Sequence, residues 1–350
     1  MSFEENIRRV VPYTPGEQPE RKVIKLNTNE CPYPPSPKAA ECLRTLNTDS
    51  LRLYPEAACQ TLVKAIGKYY GVDEECIFAG VGSDDVLSMC FLTYFAGKKP
   101  VIFPDITYSF YDVWALIYGI PYETIPLDED FNIRIEDYKR ENGGVVIANP
   151  NAPTGVALDL DQIEEIVKAN RESVVIVDEA YIDFGSQTAL PLINKYENVI
   201  VVRTMSKSRA LAGMRIGYAF ACRKLIGYLN DVKYSVNSYT MNTPSILTGK
   251  GAIEDDEYFK EITSKVIATR KHTEEELRSM GFKLNTSSAN FVFAKPPSGY
   301  EAKEVFEELK KRDIYVRHFN KDRIAGYLRI SIGTDEEMDA LIAALKEIIV

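Results

Sequence analysis

The sequence has few of the residues that build metal sites and disulfide frameworks. It contains 2 histidines and 6 cysteines among 350 residues, and no two cysteines form a Cys-x-x-Cys pair. A structural zinc site needs several such ligands at close spacing, so we expect no metal site. The cysteines are expected to be reduced and mostly buried thiols.

Long apolar runs and an excess of positive charge are also missing. No apolar run approaches the ~20 residues that span a bilayer, and the charged N-terminus lacks the apolar core of a signal peptide. The net charge is −9 and the pI is about 5.1, which argues against nucleic acids and anionic membranes as partners. We therefore expect a cytoplasmic protein that captures any anionic ligand with a local group of arginines.

The order of helical and apolar segments predicts two domains. Residues 55–231 alternate helices with apolar strands, as in a doubly wound, mostly parallel α/β sheet. Residues 245–280 read as one strongly helical region, and strands and helices alternate again from residue 290. We predict an arm with part of the small domain (1–45), a large domain (46–244) and a small α+β domain with its connecting helix (245–350).

Three predicted strands in succession end in polar residues. The apolar run 145–148 leads into Asn151, the run 173–178 ends on Asp178 with Tyr181 three residues later, and the run 199–202 precedes Lys207. Unbroken apolar runs are typical of parallel strands that are buried on both faces. Ligands of open α/β sheets bind at the carboxyl ends of the strands, so these side chains are expected to share one site. Ordinary turn polarity is the alternative explanation.

Residues 77–88 read as a short strand, a glycine turn and the start of a helix. The free N–H groups at a helix N-terminus suit a phosphate, although Ser83 and Asp84 could simply cap the helix. The turn lacks the third glycine of the dinucleotide fingerprint and the lysine of a P-loop. This argues against a dinucleotide-dependent oxidoreductase.

Together these segments resemble the fold type I pyridoxal-phosphate enzymes and, more narrowly, the histidinol-phosphate aminotransferase family. The resemblance covers essentially the whole chain and implies a seven-stranded, mostly parallel sheet and pyridoxal 5′-phosphate as cofactor. It makes Lys207 the catalytic lysine that forms the Schiff base, and Asp178 the carboxylate that faces the pyridine nitrogen. Asn151 and Tyr181 would donate hydrogen bonds to the phenolate oxygen of the ring.

The resemblance also assigns the remaining contacts to the cofactor. Tyr108 would stack on the cofactor ring, with core packing as the alternative because Phe110, Tyr111 and Trp114 crowd the same stretch. Tyr54 would reach the phosphate of the neighbouring subunit, which implies a homodimer. The phosphate would be held by the backbone amides of Ser83, Asp84 and Asp85 together with Ser206 and Arg215.

For the substrates, the resemblance implies amino transfer between L-histidinol phosphate and 2-oxoglutarate. Arg329 would bind the substrate carboxylate or phosphate, and Arg317 would be a second arginine for the phosphate. Tyr13 and Asn29 would close over the substrate, while Cys31 replaces an asparagine of the family motif.

Three other functions remain open on the sequence. An aromatic amino acid aminotransferase or a threonine-phosphate decarboxylase would keep the cofactor and change the reaction or its substrate. A ligand-binding regulator is disfavoured because Lys207, Asp178 and Arg215 are all present.

Overall fold

The computed structural model describes residues 3–11 and 16–349. The strands of this part of the chain are β1 (Ile24–Lys25), β2 (Ile77–Gly80), β3 (Val101–Pro104), β4 (Tyr122–Ile125), β5 (Gly144–Ala148), β6 (Val175–Asp178), β7 (Val199–Thr204), β8 (Gly217–Ala221), β9 (Lys283–Leu284), β10 (Phe291–Lys295), β11 (Ile314–Tyr315), β12 (Arg317–His318) and β13 (Leu328–Ser331). Its helices are α1 (Pro37–Arg44), α2 (Gln60–Tyr70), α3 (Gly82–Tyr94), α4 (Tyr111–Tyr118), α5 (Leu160–Ala169), α6 (Arg223–Val236), α7 (Thr243–Ile253), α8 (Asp256–Ser279), α9 (Ala302–Lys311) and α10 (Asp335–Ile348).

The large sheet has seven strands in the order β2-β8-β7-β6-β5-β3-β4. β8 runs antiparallel to both of its neighbours, and the other strand pairs are parallel. Every residue of β5, β6 and β7 is buried, because helices and loops cover both faces of the sheet and form two apolar cores. The predicted fold class is confirmed.

A smaller, four-stranded sheet belongs to a second structural unit. β12, β13, β10 and β9 pair in that order and antiparallel, and the arm strand β1 pairs in parallel with β11. Their core includes Leu26 from the arm, Val266 from α8, Val292 and Ile330 from the sheet, and Leu341 from α10. The arm and the tail therefore share one α+β unit.

The prediction of one helical region over residues 245–280 is wrong in one respect, because two helices occupy these residues. α7 ends at Ile253 and α8 starts at Asp256. Contacts from distant residues replace the helical hydrogen bonds at the break: Arg209 Nη1 donates to Ala252 O over 2.7 Å, and Lys38 Nζ donates to Glu254 O over 2.8 Å. Tertiary packing thus overrides the helical period of the sequence.

Strands and helices alternate from residue 290 as predicted, but the stretch 314–318 forms two separate strands. Its first half, β11, pairs with the arm, whereas its second half, β12, pairs with β13 in the small sheet. Val316, between the two halves, is buried. The chain therefore joins two sheets here, which the run of apolar residues did not reveal.

The domain boundaries stay a prediction. Ile246, Ala252 and Ile253 of α7 pack into a core of the large sheet, so α7 adjoins the large domain in its packing. No helix within the described ranges is long and apolar enough to cross a bilayer. In the same ranges, no group of three or more His, Cys, Asp or Glu side chains is placed to hold a metal ion.

Candidate active site

A cleft opens at the carboxyl ends of β5, β6 and β7, beside the N-terminus of α3. The structure brings eight of the predicted side chains to its lining: Ser83, Asp84, Tyr108, Asp178, Tyr181, Ser206, Lys207 and Arg215. Small residues that sequence reasoning did not single out complete the wall: Ala148, Pro150, Ala152, Ala180 and Thr204. The shared direction of β5, β6 and β7 explains why Asp178, Tyr181 and Lys207 converge, because parallel strands end at one edge.

Asp178 is the last residue of β6 and is 4% exposed. Its Oδ2 accepts from Tyr111 Oη over 2.8 Å, and its Oδ1 accepts from the Ala180 N–H over 3.2 Å. Burial raises the pKa of the Asp178 carboxyl from its usual 3.8 to about 6, and the two hydrogen bonds oppose that rise. Within residues 3–11 and 16–349, no basic side chain forms an ion pair with it. The carboxylate is thus suited to a cation that enters the cleft.

Tyr111 is a further residue of this site to which the sequence assigned no role. It begins α4, is fully buried, and donates its hydroxyl hydrogen to Asp178. Burial and the neighbouring carboxylate raise the pKa of its phenol well above the usual value, so the hydroxyl remains a donor. The available signal was the aromatic stretch 108–114, in which the resemblance selected only Tyr108.

Lys207 lies in the loop after β7, and its Nζ donates to the Thr28 carbonyl oxygen over 3.1 Å. The same Nζ lies 5.7 Å from the ring centroid of Tyr181. The Tyr181 hydroxyl in turn accepts from Asn29 Nδ2 over 3.0 Å. The amine and the phenol therefore face the N-terminal arm across the cleft.

Asn29 joins the arm to the rest of the site. It adopts a left-handed backbone conformation with φ 56° and is 1% exposed; asparagine tolerates this region better than most residues. Its N–H donates to Ser331 Oγ, and its carbonyl accepts from Asn290 Nδ2, both over 2.9 Å. Asn29 is thus fixed between β13 and Tyr181, and its predicted closure over the substrate stays a prediction. Tyr13, the other predicted arm residue, lies outside the described residues.

The predicted phosphate cradle is the first turn of α3. Ser83, Asp84 and Asp85 lie in this turn, where backbone N–H groups have no acceptor within the helix. Gly82 has φ 85°, and a Cβ built on Gly217 would lie 2.4 Å from the Ser83 nitrogen. The two glycines allow β8 to pass directly behind the turn, which leaves its front open to an anion.

Basic and hydroxyl side chains face this turn. Arg215 Nη1 lies 3.4 Å from Ser206 Oγ, and Arg215 Nη2 donates to Asp84 Oδ2 over 3.3 Å. Tyr108 Oη donates to the other oxygen of Asp84 over 2.7 Å. The Asp85 carboxylate instead accepts from the Val81 N–H over 2.9 Å and so braces the turn. The cradle combines helix amides with a guanidinium, which is the donor set that a phosphate requires.

Asn151 follows β5 and is 4% exposed. Its Nδ2 donates to the Ile106 carbonyl over 2.9 Å and to Thr154 Oγ1 over 3.0 Å, while its Oδ1 accepts from Thr107 Oγ1. Both amide hydrogens are therefore used within the protein. The predicted hydrogen bond from Asn151 to the cofactor ring stays a prediction.

Arg317 and Arg329 are direct partners across the antiparallel pair of β12 and β13. Side chains at paired positions lie on the same face of a sheet. Arg329 Nη2 donates to the Asn27 carbonyl over 2.9 Å, and both guanidinium groups lie within 5.7 Å of the Phe319 ring centroid. The tail thus supplies two adjacent cations beside the arm.

Tyr54 does not line the cleft of its own chain. It is 81% exposed, and its ring stacks on that of Tyr239 with the centroids 4.7 Å apart. Its predicted contact with the cofactor phosphate of a neighbouring site would therefore need a second subunit.

The cleft fits a ring that carries a basic nitrogen, an aldehyde and a phosphate. Asp178 offers a buried carboxylate for a protonated nitrogen, Lys207 offers an amine for the aldehyde, and the turn of α3 with Arg215 offers donors for the phosphate. This donor set matches pyridoxal phosphate in each of its reactive groups.

The comparisons with known proteins agree with this geometry. The family model described as aminotransferase class I and II matches residues 21–345, and the chain belongs to that family. Within it, the chain is 51% identical over 343 residues to the histidinol-phosphate aminotransferase of Clostridium botulinum (strain Okra / Type B1), covering 98% of this chain and 97% of that one. It is 47% identical over 348 residues to the enzyme of the same name from Lactococcus lactis subsp. cremoris, covering 99% and 98%.

Among solved structures, the chain resembles a histidinol-phosphate aminotransferase from Sinorhizobium meliloti that was crystallised in complex with pyridoxal 5′-phosphate. The TM-score is 0.85 at 26% sequence identity, and the match covers 94% of this chain and 92% of that one. The expected family is confirmed.

Proposed function

We propose that this chain transfers the amino group of L-histidinol phosphate to 2-oxoglutarate, giving imidazole-acetol phosphate and L-glutamate. The chain is a pyridoxal-phosphate-dependent histidinol-phosphate aminotransferase of histidine biosynthesis. The observation that carries the class of reaction is one cleft that contains Lys207, the buried Asp178 carboxylate and the α3 cradle. The substrate rests on the curated relatives together with the paired arginines of the small sheet.

The cofactor would be held by groups of three kinds. Lys207 would carry it covalently, Asp178 would pair with its ring nitrogen, and Tyr108 would pack against its ring, with hydrogen bonds from Asn151 and Tyr181. Its phosphate would be held by the amides of Ser83, Asp84 and Asp85 and by the side chains of Ser206 and Arg215. When bound, pyridoxal phosphate supplies an electron sink for the electrons of the substrate Cα–H bond.

The protein side chains then supply the proton transfers. The Lys207 Nζ would be the base that takes the proton from the substrate Cα and the acid that gives it back. The Tyr181 ring next to Nζ limits the directions in which the amine can move. The Asp178 carboxylate, held by Tyr111, would place a negative charge beside the ring nitrogen.

Substrate anions would bind to the adjacent cations of β12 and β13. A guanidinium matches a carboxylate or a phosphate with two parallel N–H groups, so one pocket can serve glutamate and histidinol phosphate in alternate half-reactions. Arg329 would serve every anion, and Arg317 mainly the doubly charged phosphate. Asn29 would orient the arm over this pocket.

A homodimer would complete the site. Tyr54 and its stacking partner Tyr239 are both exposed, as are their sequence neighbours Leu53 and Val236. An exposed apolar patch is typical of a protein–protein contact. We propose that Tyr54 reaches the cofactor phosphate of the neighbouring subunit. The cytoplasmic location expected from the sequence stays a prediction.

The test is a direct comparison of amino donors. Purified protein with pyridoxal phosphate and 2-oxoglutarate should form glutamate from L-histidinol phosphate far faster than from phenylalanine or tyrosine. A preference for the aromatic amino acids would favour an aromatic aminotransferase instead. Release of carbon dioxide from threonine phosphate, without glutamate formation, would favour a decarboxylase.

A further inference from the structure

A buried ion pair lies directly behind the cleft. Glu179 follows Asp178 and is 1% exposed, and Arg203 on β7 is 5% exposed. Arg203 Nε donates to Glu179 Oε2 over 2.9 Å. The Ala189 N–H and the Thr188 hydroxyl donate to the same carboxylate over 2.6 and 2.8 Å. The Glu179 carboxylate therefore accepts hydrogen bonds from Arg203, Ala189 and Thr188, and the pair is closed to solvent.

The same guanidinium extends toward the lysine loop. Arg203 Nη1 lies 3.9 Å from Asp183 Oδ1, and the other Asp183 oxygen accepts from the Ser208 hydroxyl. Ser208 directly follows Lys207 in the chain. The network thus starts one residue after Asp178 and ends one residue after Lys207.

Stability alone does not account for this arrangement. Replacing a buried ion pair by well-packed apolar residues is often neutral or stabilising, since the charges lose their hydration. A network that links the chain next to Asp178 to the chain next to Lys207 has another effect, because it fixes the spacing of those two functional groups.

The network also sets the charge behind the cleft. The charged neighbours of Glu179 are Arg203 on β7 and Asp178, the residue before it in the chain. Asp183 and the phenols of Tyr70 and Tyr218 lie beside Arg203. Burial is the largest cause of the raised pKa of Asp178, and the charges of Asp84 and Glu179 add to it. The positive charge of Arg203 offsets the negative charge of Glu179.

We infer that Arg203 is a positioning residue, which holds Asp178 and Lys207 in register for the cofactor through its ion pairs with Glu179 and Asp183. The inference rests on the proposed function, since it concerns the placement of the groups that bind pyridoxal phosphate. Arg203 itself does not line the cleft.

Arg209 provides a matched control. It is also a buried arginine, 4% exposed and six residues further along the chain. Its guanidinium donates to the Ala252 carbonyl over 2.7 Å and packs on the rings of Tyr69 and Phe259. Arg203→Met and Arg209→Met therefore remove similar buried groups, of which only the first belongs to the network.

Two properties of the apoprotein would be measured with added pyridoxal phosphate. The first is the dissociation constant as a function of pH, followed by fluorescence; the second is the fraction of bound cofactor that borohydride traps on Lys207. We expect Arg203→Met to weaken cofactor binding roughly tenfold and to lower the fraction of cofactor trapped on Lys207. We also expect it to move the acid limb of binding, the pH range in which binding is lost as the pH falls, to higher pH. Arg209→Met is expected to lower the melting temperature without moving the acid limb.

Further variants separate charge from packing. Arg203→Lys keeps the positive charge and should return the acid limb to its wild-type pH. It should restore trapping on Lys207 only in part, because lysine lacks the planar fork of a guanidinium. Glu179→Gln should move the acid limb to lower pH, since it removes a negative charge beside Asp178. This variant keeps the inference testable if Arg203→Met does not fold.

The outcomes separate the two proposals. If wild-type protein traps no cofactor on Lys207, the proposed function fails and this inference fails with it. A second outcome is that wild-type protein traps the cofactor, Arg203→Met and Arg209→Met bind and trap it equally, and Glu179→Gln leaves the acid limb in place. Arg203 then has a merely structural role.

Discussion

The buried Asp178 carboxylate should destabilise the protein in the absence of its cofactor. Its pKa is about 6 in the folded chain against a usual 3.8. Between these pH values the folded state holds a proton that the unfolded state has released, so the stability of the apoprotein falls as the pH rises. A difference of about 2 pH units corresponds to about 3 kcal/mol by pH 7.5, once both states are ionised.

Asp178→Asn removes this penalty. The asparagine oxygen can still accept from Tyr111, although one of the two acceptors is lost, at a cost of about 1 kcal/mol. We therefore expect the variant apoprotein to be about 2 kcal/mol more stable than wild type at pH 7.5. The advantage should shrink as the pH is lowered from about 6 to about 4, because the wild-type carboxyl becomes protonated in the folded state.

Urea unfolding of both apoproteins at several pH values measures this difference. The same variant should lose most transamination, because a neutral amide cannot hold a protonated ring nitrogen. Tyr111→Phe is the control: it leaves the carboxylate and removes a hydrogen bond that favours its ionised form, so the acid limb of cofactor binding should move to higher pH. A pH-independent stability difference between wild type and Asp178→Asn would refute the reasoning.

Other predictions concern the remaining parts of the site. Lys207→Ala should abolish borohydride trapping of the cofactor; peptide mapping that finds the cofactor on another lysine would contradict its role. Arg329→Ala should impair both half-reactions, whereas Arg317→Ala should raise KM for histidinol phosphate more than for glutamate; equal, small losses would contradict a shared pocket. Tyr54→Phe should weaken cofactor binding in a protein that sediments as a dimer, and a fully active monomer would exclude the shared site. Gly217→Ala should weaken cofactor binding at least tenfold, by about 1.4 kcal/mol or more, because its Cβ would lie 2.3 Å from the Gly82 carbonyl carbon; unchanged affinity would show that the turn can shift.

The sequence alone determined the parts of this protein that depend on local pattern. Unbroken runs of valine and isoleucine predicted β5, β6 and β7, and the polar residues after them predicted the edge at which Asp178 and Lys207 meet. Both follow from chain periodicity and from the shared direction of parallel strands. The glycine turn before α3 was also predictable, because glycine allows a backbone conformation that other residues resist.

Only the tertiary structure decided which distant side chains meet. Tyr111 bonds to Asp178 across 67 residues, Arg203 on β7 bonds to Glu179 just after β6, and Asn151 donates its amide hydrogens to Ile106 and Thr154. The direction of a side chain has no period in the sequence, and hydrogen bonds form with whatever group the fold brings within about 3 Å. The break between α7 and α8 arises likewise, since Lys38 and Arg209 take the carbonyls that a continuous helix would have used.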